Sequence, residues 1–246
     1  MIPTSPSSSL LLYGLCLARP CSDMDLFSAV AASDLFWITE GGVAALVSLL
    51  TDLSSIETQP ARKLLAFAKV IDSVHQRQTI LPFRFGSVFP DRAALQEYLR
   101  THHEVARALI ESLDGKEELA IRITIPRSVL KEDVSDAQSI AGTGKGAAYL
   151  RQRRQQLAAA EQLTQTAQRV TLLVQESLGE SIRLSDAVPR VVDQQVVISL
   201  AALVDRGCQG AMKSQFQSLA MQSAGSLHIS GPFPPYSFVG PLAQAK

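Results

Sequence analysis

The stretch Leu119-Ala120-Ile121-Arg122-Ile123-Thr124-Ile125, with the long segment 144–178 that follows it, decides how the second half of this chain folds. Leu119, Ile121, Ile123 and Ile125 alternate with Ala120, Arg122 and Thr124, a period of two that marks a strand with one buried face. In 144–178 the period changes: Leu150, Leu157, Ala160, Leu163, Ala167, Val170, Val174 and Leu178 fall close to one stripe, and Gln and Arg fill the other faces. This predicts one helix of about 50 Å at 1.5 Å per residue, stopped by Gly179. Residues 181–185 and 194–204 read as strands joined through Pro189. In the second of these, Val196, Ile198, Leu200 and Ala202 alternate with Val197, Ala201 and Leu203, so both faces are apolar and the strand is central. Residues 211–223 read as a helix with Met212, Phe216, Leu219 and Ala220 on one face, and 227–230 as a last strand. The order β-α-β-β-α-β is the split, ferredoxin-like arrangement.

Upstream, residues 10–17 read as a buried strand. Two apolar runs, 35–39 and 43–50, surround Glu40-Gly41-Gly42, a hairpin signal because glycine reaches positive φ without steric penalty. Residues 61–76 read as a helix with Leu64, Phe67, Ala68, Ile71 and Val74 inward. A short strand, 79–85, leads to Asp91, placed to cap a helix running to Leu113. That helix buries Leu95, Tyr98, Leu99, His102, Val105, Ala106 and Leu109, and Asp114-Gly115 ends it. The expectation is an α+β protein with two mixed α/β domains. The first spans 1–114; the second spans 115–246, is a modified ferredoxin-like fold, and carries a Pro-rich tail at 231–246.

The chain has 246 residues, 46% hydrophobic and 19% charged, with 23 Lys+Arg against 23 Asp+Glu. That is enough hydrophobe to exclude a disordered chain. Zero net charge argues against nucleic acid and anionic membranes as partners. A mean hydropathy of +0.13 suits a molecule that spends its life against a partner. Cys16, Cys21 and Cys208 fit neither a disulfide framework nor a zinc site, and read as small apolar residues in a reducing compartment. No stretch approaches 18 apolar residues and the run 10–18 lacks a signal peptide's flanks, so a cytoplasmic protein is expected.

Candidate chemistry is sparse. Ala141-Gly142-Thr143-Gly144-Lys145-Gly146 fails the phosphate-loop pattern, with Ser139 where the first glycine belongs and Gly146 after the lysine. His102 and His103 point about 100° apart and share no ion; His75 and His228 stand alone. The paired acids Asp23/Asp25, Glu117/Glu118 and Glu132/Asp133 read as capping or solvated groups. No catalytic residue, cofactor or metal is assigned, and no enzyme is expected. Arg151, Arg153 and Arg154 oppose the dipole at the start of the long helix, as a solvated face or a contact for a partner. Arg84, inside Ile80-Leu81-Pro82-Phe83-Arg84-Phe85-Gly86, is expected to lock the link between two helices through a carboxylate or loop carbonyls. The tail Gly231-Pro232-Phe233-Pro234-Pro235-Tyr236-Ser237-Phe238 reads as polyproline II, and either folds back over apolar surface or presents its rings to another protein.

Four of these segments, in order, resemble the gas vesicle protein F/L family (GvpF/GvpL). They are Tyr13-Gly14 in the first strand, Pro82–Gly86 as Pro-x-Arg-Phe-Gly, Gly146-Ala147-Ala148-Tyr149-Leu150 as Gly-x-x-Tyr-Leu, and the tail as Gly-Pro-Trp-Pro-Pro-Tyr-Ser-Phe. The resemblance covers about residues 10–240. Phe233 replaces the common Trp, and Ala201-Ala202 stands where a Tyr is expected. The resemblance implies a non-enzymatic accessory or minor structural protein located at the gas vesicle within the cytoplasm. It implies contact with the small hydrophobic wall protein, the major subunit of the vesicle, and with other accessory gas vesicle proteins. The partner contacts expected are the sheet edge of 117–246 with Phe233, Tyr236 and Phe238; the structural lock is Pro82, Arg84, Gly86 and Tyr149. The alternatives are a cytosolic assembly chaperone not retained in the particle, and a ligand-binding ferredoxin-like sensor.

Overall fold

The computed structural model describes residues 9–18, 35–50, 60–126, 145–179, 182–193, 195–212, 214, 225–240 and 242. The chain is α+β and divides into two compact units, residues 1–118 with 233–246, and residues 119–232. Residues 233–246 thus group with the first unit, not with the second as the sequence suggests.

In the first unit, β1 (Ser9–Leu17) lies between β3 (Val43–Leu50) and an interrupted strand made of β4 (Leu81–Pro82) and β5 (Val88–Phe89). β2 (Leu35–Glu40) pairs antiparallel with β3 and completes the order β2-β3-β1-β4. The β2–β3 hairpin turns at Gly41 and Gly42 with φ of +57° and +79°, the left-handed pair expected of a two-residue turn. β1 carries a bulge: Leu12 faces Val47 but Gly14 faces Leu46, so Tyr13 is the extra residue. A bulge switches the parity of the faces. Before it Leu11 and Tyr13, and after it Cys16, join one core with Phe67, Val70, Ile71 and Val74 of α1 (Pro60–His75). Leu12 and Leu15, also fully buried, belong to the opposite set.

α2 (Arg92–Ser112) packs on β1, β2 and β3. Asp91 caps it by accepting the Ala94 N–H at 2.8 Å, as the sequence predicts. Its buried residues are Leu95, Leu99, Ala106 and Ile110. Val105 is 60% exposed and Ile110 takes the place given to it; on α1, Leu64 is exposed and Val70 is buried instead. Each helix meets its sheet over a narrower stripe than the sequence offers.

In the second unit the strand order is β10-β6-β9-β7, with β8 also on β9. These are β6 (Lys116–Pro126), β7 (Arg183–Leu184), β8 (Val188–Val192), β9 (Gln195–Asp205) and β10 (Ser226–Phe233). β7 and β8 both pair antiparallel with β9, and β6 flanks β9 on the other side, so β9 is central as expected. Pro189 lies inside β8, opposite Ile198, not in a connection. A proline is tolerated there because an edge strand leaves one row of N–H groups unused. α3 (Lys145–Leu178) places Ala167 and Val174 in one core with Leu119, Ile121, Ile123, Val196, Ile198, Leu200 and Val204. Leu163 and Val170 pack against that core, but Leu150 and Leu157 of the predicted stripe are each 58% exposed. The connections read at 22–33 and 127–143, and most of the helix read at 211–223, lie outside the described residues.

Candidate partner-contact site

The Tyr13-Gly14 pair and the Pro82–Gly86 segment, separate in sequence, lie against each other. Gly14 pairs with Pro82, and Phe83 N–H donates to the Tyr13 carbonyl at 2.9 Å. A Cβ on Gly14 would sit 2.6 Å from the Leu81 carbonyl oxygen and 2.7 Å from Ile80. Only glycine allows this approach. Tyr13 stacks on Phe67 with ring centroids 4.6 Å apart, and its hydroxyl lies 3.3 Å from Ser48 Oγ. Burial raises the Tyr13 pKa.

Residues 83–87 leave the ladder as a loop between β4 and β5. The Ser87 N–H closes it on the Arg84 carbonyl at 3.1 Å, and Gly86 takes φ +92°. Leu81 and Phe83 are buried and Phe85 meets Phe67 edge-on at 5.4 Å. Arg84 is exposed, and its guanidinium has no hydrogen bond or ion pair among the described residues. The expected lock therefore needs correction: the backbone carbonyl of Arg84 and the buried Pro82 and Phe83 hold the segment. The reason is geometric: residues 83–87 leave the ladder, so the Arg84 side chain is exposed while its carbonyl closes the loop. Tyr149 is 66% exposed on α3 and makes no locking contact among the described residues.

Tyr98 gathers the rest. Its ring meets Phe83 at 6.3 Å, Phe89 at 5.3 Å and His102 at 4.3 Å, and its hydroxyl donates to the Leu242 carbonyl at 2.8 Å. Burial lifts the Tyr98 pKa to about 12. His102, read as a bonded core histidine, has Nδ1 at 2.8 Å from the Tyr98 carbonyl.

The tail is held at a second point. The Ser237 N–H and hydroxyl donate to the two oxygens of Glu118, at 2.7 and 2.9 Å. Glu118 is only 7% exposed and its carboxylate is bound by Ser237, which corrects the sequence expectation of a solvated or capping acid. Burial raises its pKa and outweighs the two bonds, which lower it. Burial, with the Asp72 and Glu118 carboxylates, raises Tyr236 far above the ordinary tyrosine range, so it stays a neutral phenol. Pro234, Pro235, Val239 and Leu242 are buried. β10 continues to Phe233 and a 3-10 turn spans Tyr236–Phe238, so strand and turn replace the expected polyproline II. The tail folds back, yet Phe233 and Tyr236 each keep 39% of their surface exposed, and Phe238 is half-buried. No sequence signal pointed to Glu118 or Tyr98 as anchors, because their partners lie more than a hundred residues away.

Among the described residues no group of three or more His, Cys, Asp or Glu is placed to hold a metal ion, and no helix is long and apolar enough to cross a membrane. Cys16 is buried, but Cys208 is exposed and is not the apolar filler expected. What the fold defines is a two-unit α+β protein whose ordered C-terminal segment carries half-exposed rings.

The family model for "Gas vesicle synthesis protein GvpL/GvpF" matches residues 9–240. Gas vesicle protein F of Streptomyces sp. (strain CB03234) is 26% identical over 215 residues, covering 82% of this chain and 86% of that protein. The crystal structure of the gas vesicle protein GvpF from Microcystis aeruginosa is similar at a TM-score of 0.69 and 18% identity, over 94% of this chain and 99% of that one. That of GvpF from Anabaena sp. PCC7120 gives a TM-score of 0.66 at 18% identity, over 95% and 96%. The chain belongs to the GvpL/GvpF family of gas vesicle proteins.

Proposed function

We propose that this protein is an accessory or minor structural component of the gas vesicle, located there within the cytoplasm. In this reading it binds the small hydrophobic wall protein, works beside other accessory gas vesicle proteins, and supports assembly without catalysing a reaction. The observation that carries the contact site is the tail. Ser237 and Leu242 are pinned by Glu118 and Tyr98, while Phe233 and Tyr236 remain 39% exposed on that anchored segment. Rings held in place dock with little loss of side-chain freedom, and aromatic anchors dominate protein interfaces. Phe238, half-buried beside them, completes the proposed contact. The strand order β10-β6-β9-β7 supports the ferredoxin-like reading of the second sheet.

Removing 231–246 outright is a poor test, because Val239 and Leu242 are buried and their loss would strip a core. Point changes are better. Phe233→Ser with Tyr236→Ser should lower capture of the co-expressed wall subunit by about tenfold or more while the circular dichroism spectrum is unchanged. Undiminished capture would exclude these rings as the contact. Immunodetection on washed vesicles should find the protein retained; complete loss on mild washing would favour the transient chaperone.

A further inference from the structure

The first half of α3 is exposed among the described residues. Every described residue from Tyr149 to Glu161 is exposed, and the core contacts of the helix begin only at Leu163. Residues 145–160 carry Lys145, Arg151, Arg153 and Arg154 and no acidic residue, in a chain whose charges balance overall at 23 and 23. The positive charges sit toward the helix N-terminus, where they oppose the macrodipole. Neither Arg153 nor Arg154 has an ion pair among the described residues, whereas Arg100 pairs with Glu40 and Glu97, and Arg107 with Glu111. At 100° per residue, Tyr149, Arg153, Leu157, Leu150 and Arg154 fall within a sector of about 140°. The apolar members of that sector are 66%, 58% and 58% exposed at Tyr149, Leu150 and Leu157.

We propose that this face of α3, centred on Leu150, Arg153, Arg154 and Leu157, docks an acidic amphipathic helix of another protein. Leu150 and Leu157 are seven residues apart, the repeat by which one helix lays its apolar seam along another. The arginines between them match carboxylates flanking the partner's seam, and guanidinium–carboxylate pairing sets register and choice of partner. A second copy of the same segment is disfavoured, since it would set four positive charges against four. Nucleic acid would need more basic residues interleaved with several stacking rings, and Tyr149 is the one ring here. A membrane-surface helix would need a broader apolar face than two leucines and a tyrosine give.

The test uses the full chain and a synthetic helical peptide with leucines seven residues apart flanked by glutamates, followed by fluorescence anisotropy. Micromolar binding is expected, weakening as salt rises from about 0.05 to 0.5 M. Both R153E/R154E and L150Q/L157Q should weaken it by about tenfold or more with the circular dichroism unchanged, because these side chains are exposed. A peptide with lysines in place of glutamates should restore binding to R153E/R154E. Binding unaffected by the charge reversal would overturn the proposal. So would tighter binding to single-stranded RNA or to phosphatidylglycerol vesicles than to the peptide. Hydrogen exchange on the free protein gives a separate check: 145–160 should exchange rapidly along its exposed face, and strong protection would mean that this chain already covers it.

Discussion

Glu118 is a carboxylate that burial and bonding pull in opposite directions. Burial pushes its pKa above the ordinary 4.5 and the two Ser237 bonds pull it down, with burial the larger effect. An acid whose pKa is raised in the folded state contributes stability that is full below the unfolded-state value and is lost as pH rises through the folded value. Asp72, raised from 3.8 by burial alone, acts with the same sign. Stability should therefore fall as pH rises from about 4 toward neutrality. In urea titrations across that range, Glu118→Gln should flatten the decline and leave the part due to Asp72. An unchanged slope in the variant would remove Glu118 from the account. The sequence displayed Glu117-Glu118 as an ordinary acidic pair at a strand start. Nothing local separates a solvated glutamate from one whose hydrogen-bond donor lies at residue 237.

At the scale of the element, the β8–β9 hairpin shows which turn chemistry the chain uses. Val192 pairs with Gln195, so two residues turn the chain, and Asp193 holds φ +53°. Aspartate tolerates the left-handed region because its short polar side chain bonds locally; a β-branched residue does not. Asp193→Val should cost about 1–2 kcal/mol, while Asp193→Gly should stay within about 0.5 kcal/mol. Equal losses in thermal denaturation would count against backbone conformation as the cause. Alternation revealed β6 and β9, helical periodicity revealed α1, α2 and α3, and apolar runs, with the turn signal at Gly41-Gly42, revealed β1, β2 and β3. Pro189 hid β8, since a proline looks like a break until the strand is known to lie at an edge. The Tyr13 bulge was hidden for the opposite reason: a continuous apolar run such as 10–17 looks the same with the parity switched.

At the scale of the molecule, the C-terminal segment completes the first unit, whose residues run 1–118 and 233–246. Val239 is 2% and Leu242 8% exposed, and Tyr98 and Glu118 anchor the backbone around them. Truncation after Phe233 should lower hydrogen-exchange protection of β4, β5 and α2, while α3 and β9 in residues 119–232 keep theirs. An equal loss in both units would contradict the division.

The α+β class, the principal strands and helices, the failure of residues 141–146 to fit a phosphate loop and the resemblance to the gas vesicle F/L family were legible in one dimension, for these rest on periodicity and short ordered motifs. Only in three dimensions does Tyr13-Gly14 meet Pro82–Gly86, do Glu118 and Tyr98 hold the tail, and do the described residues from Tyr149 to Glu161 stand exposed. The physical reason is the same in each case: burial and hydrogen bonding between distant residues depend on where the backbone places them, and a one-dimensional pattern records only which side of an element a residue occupies.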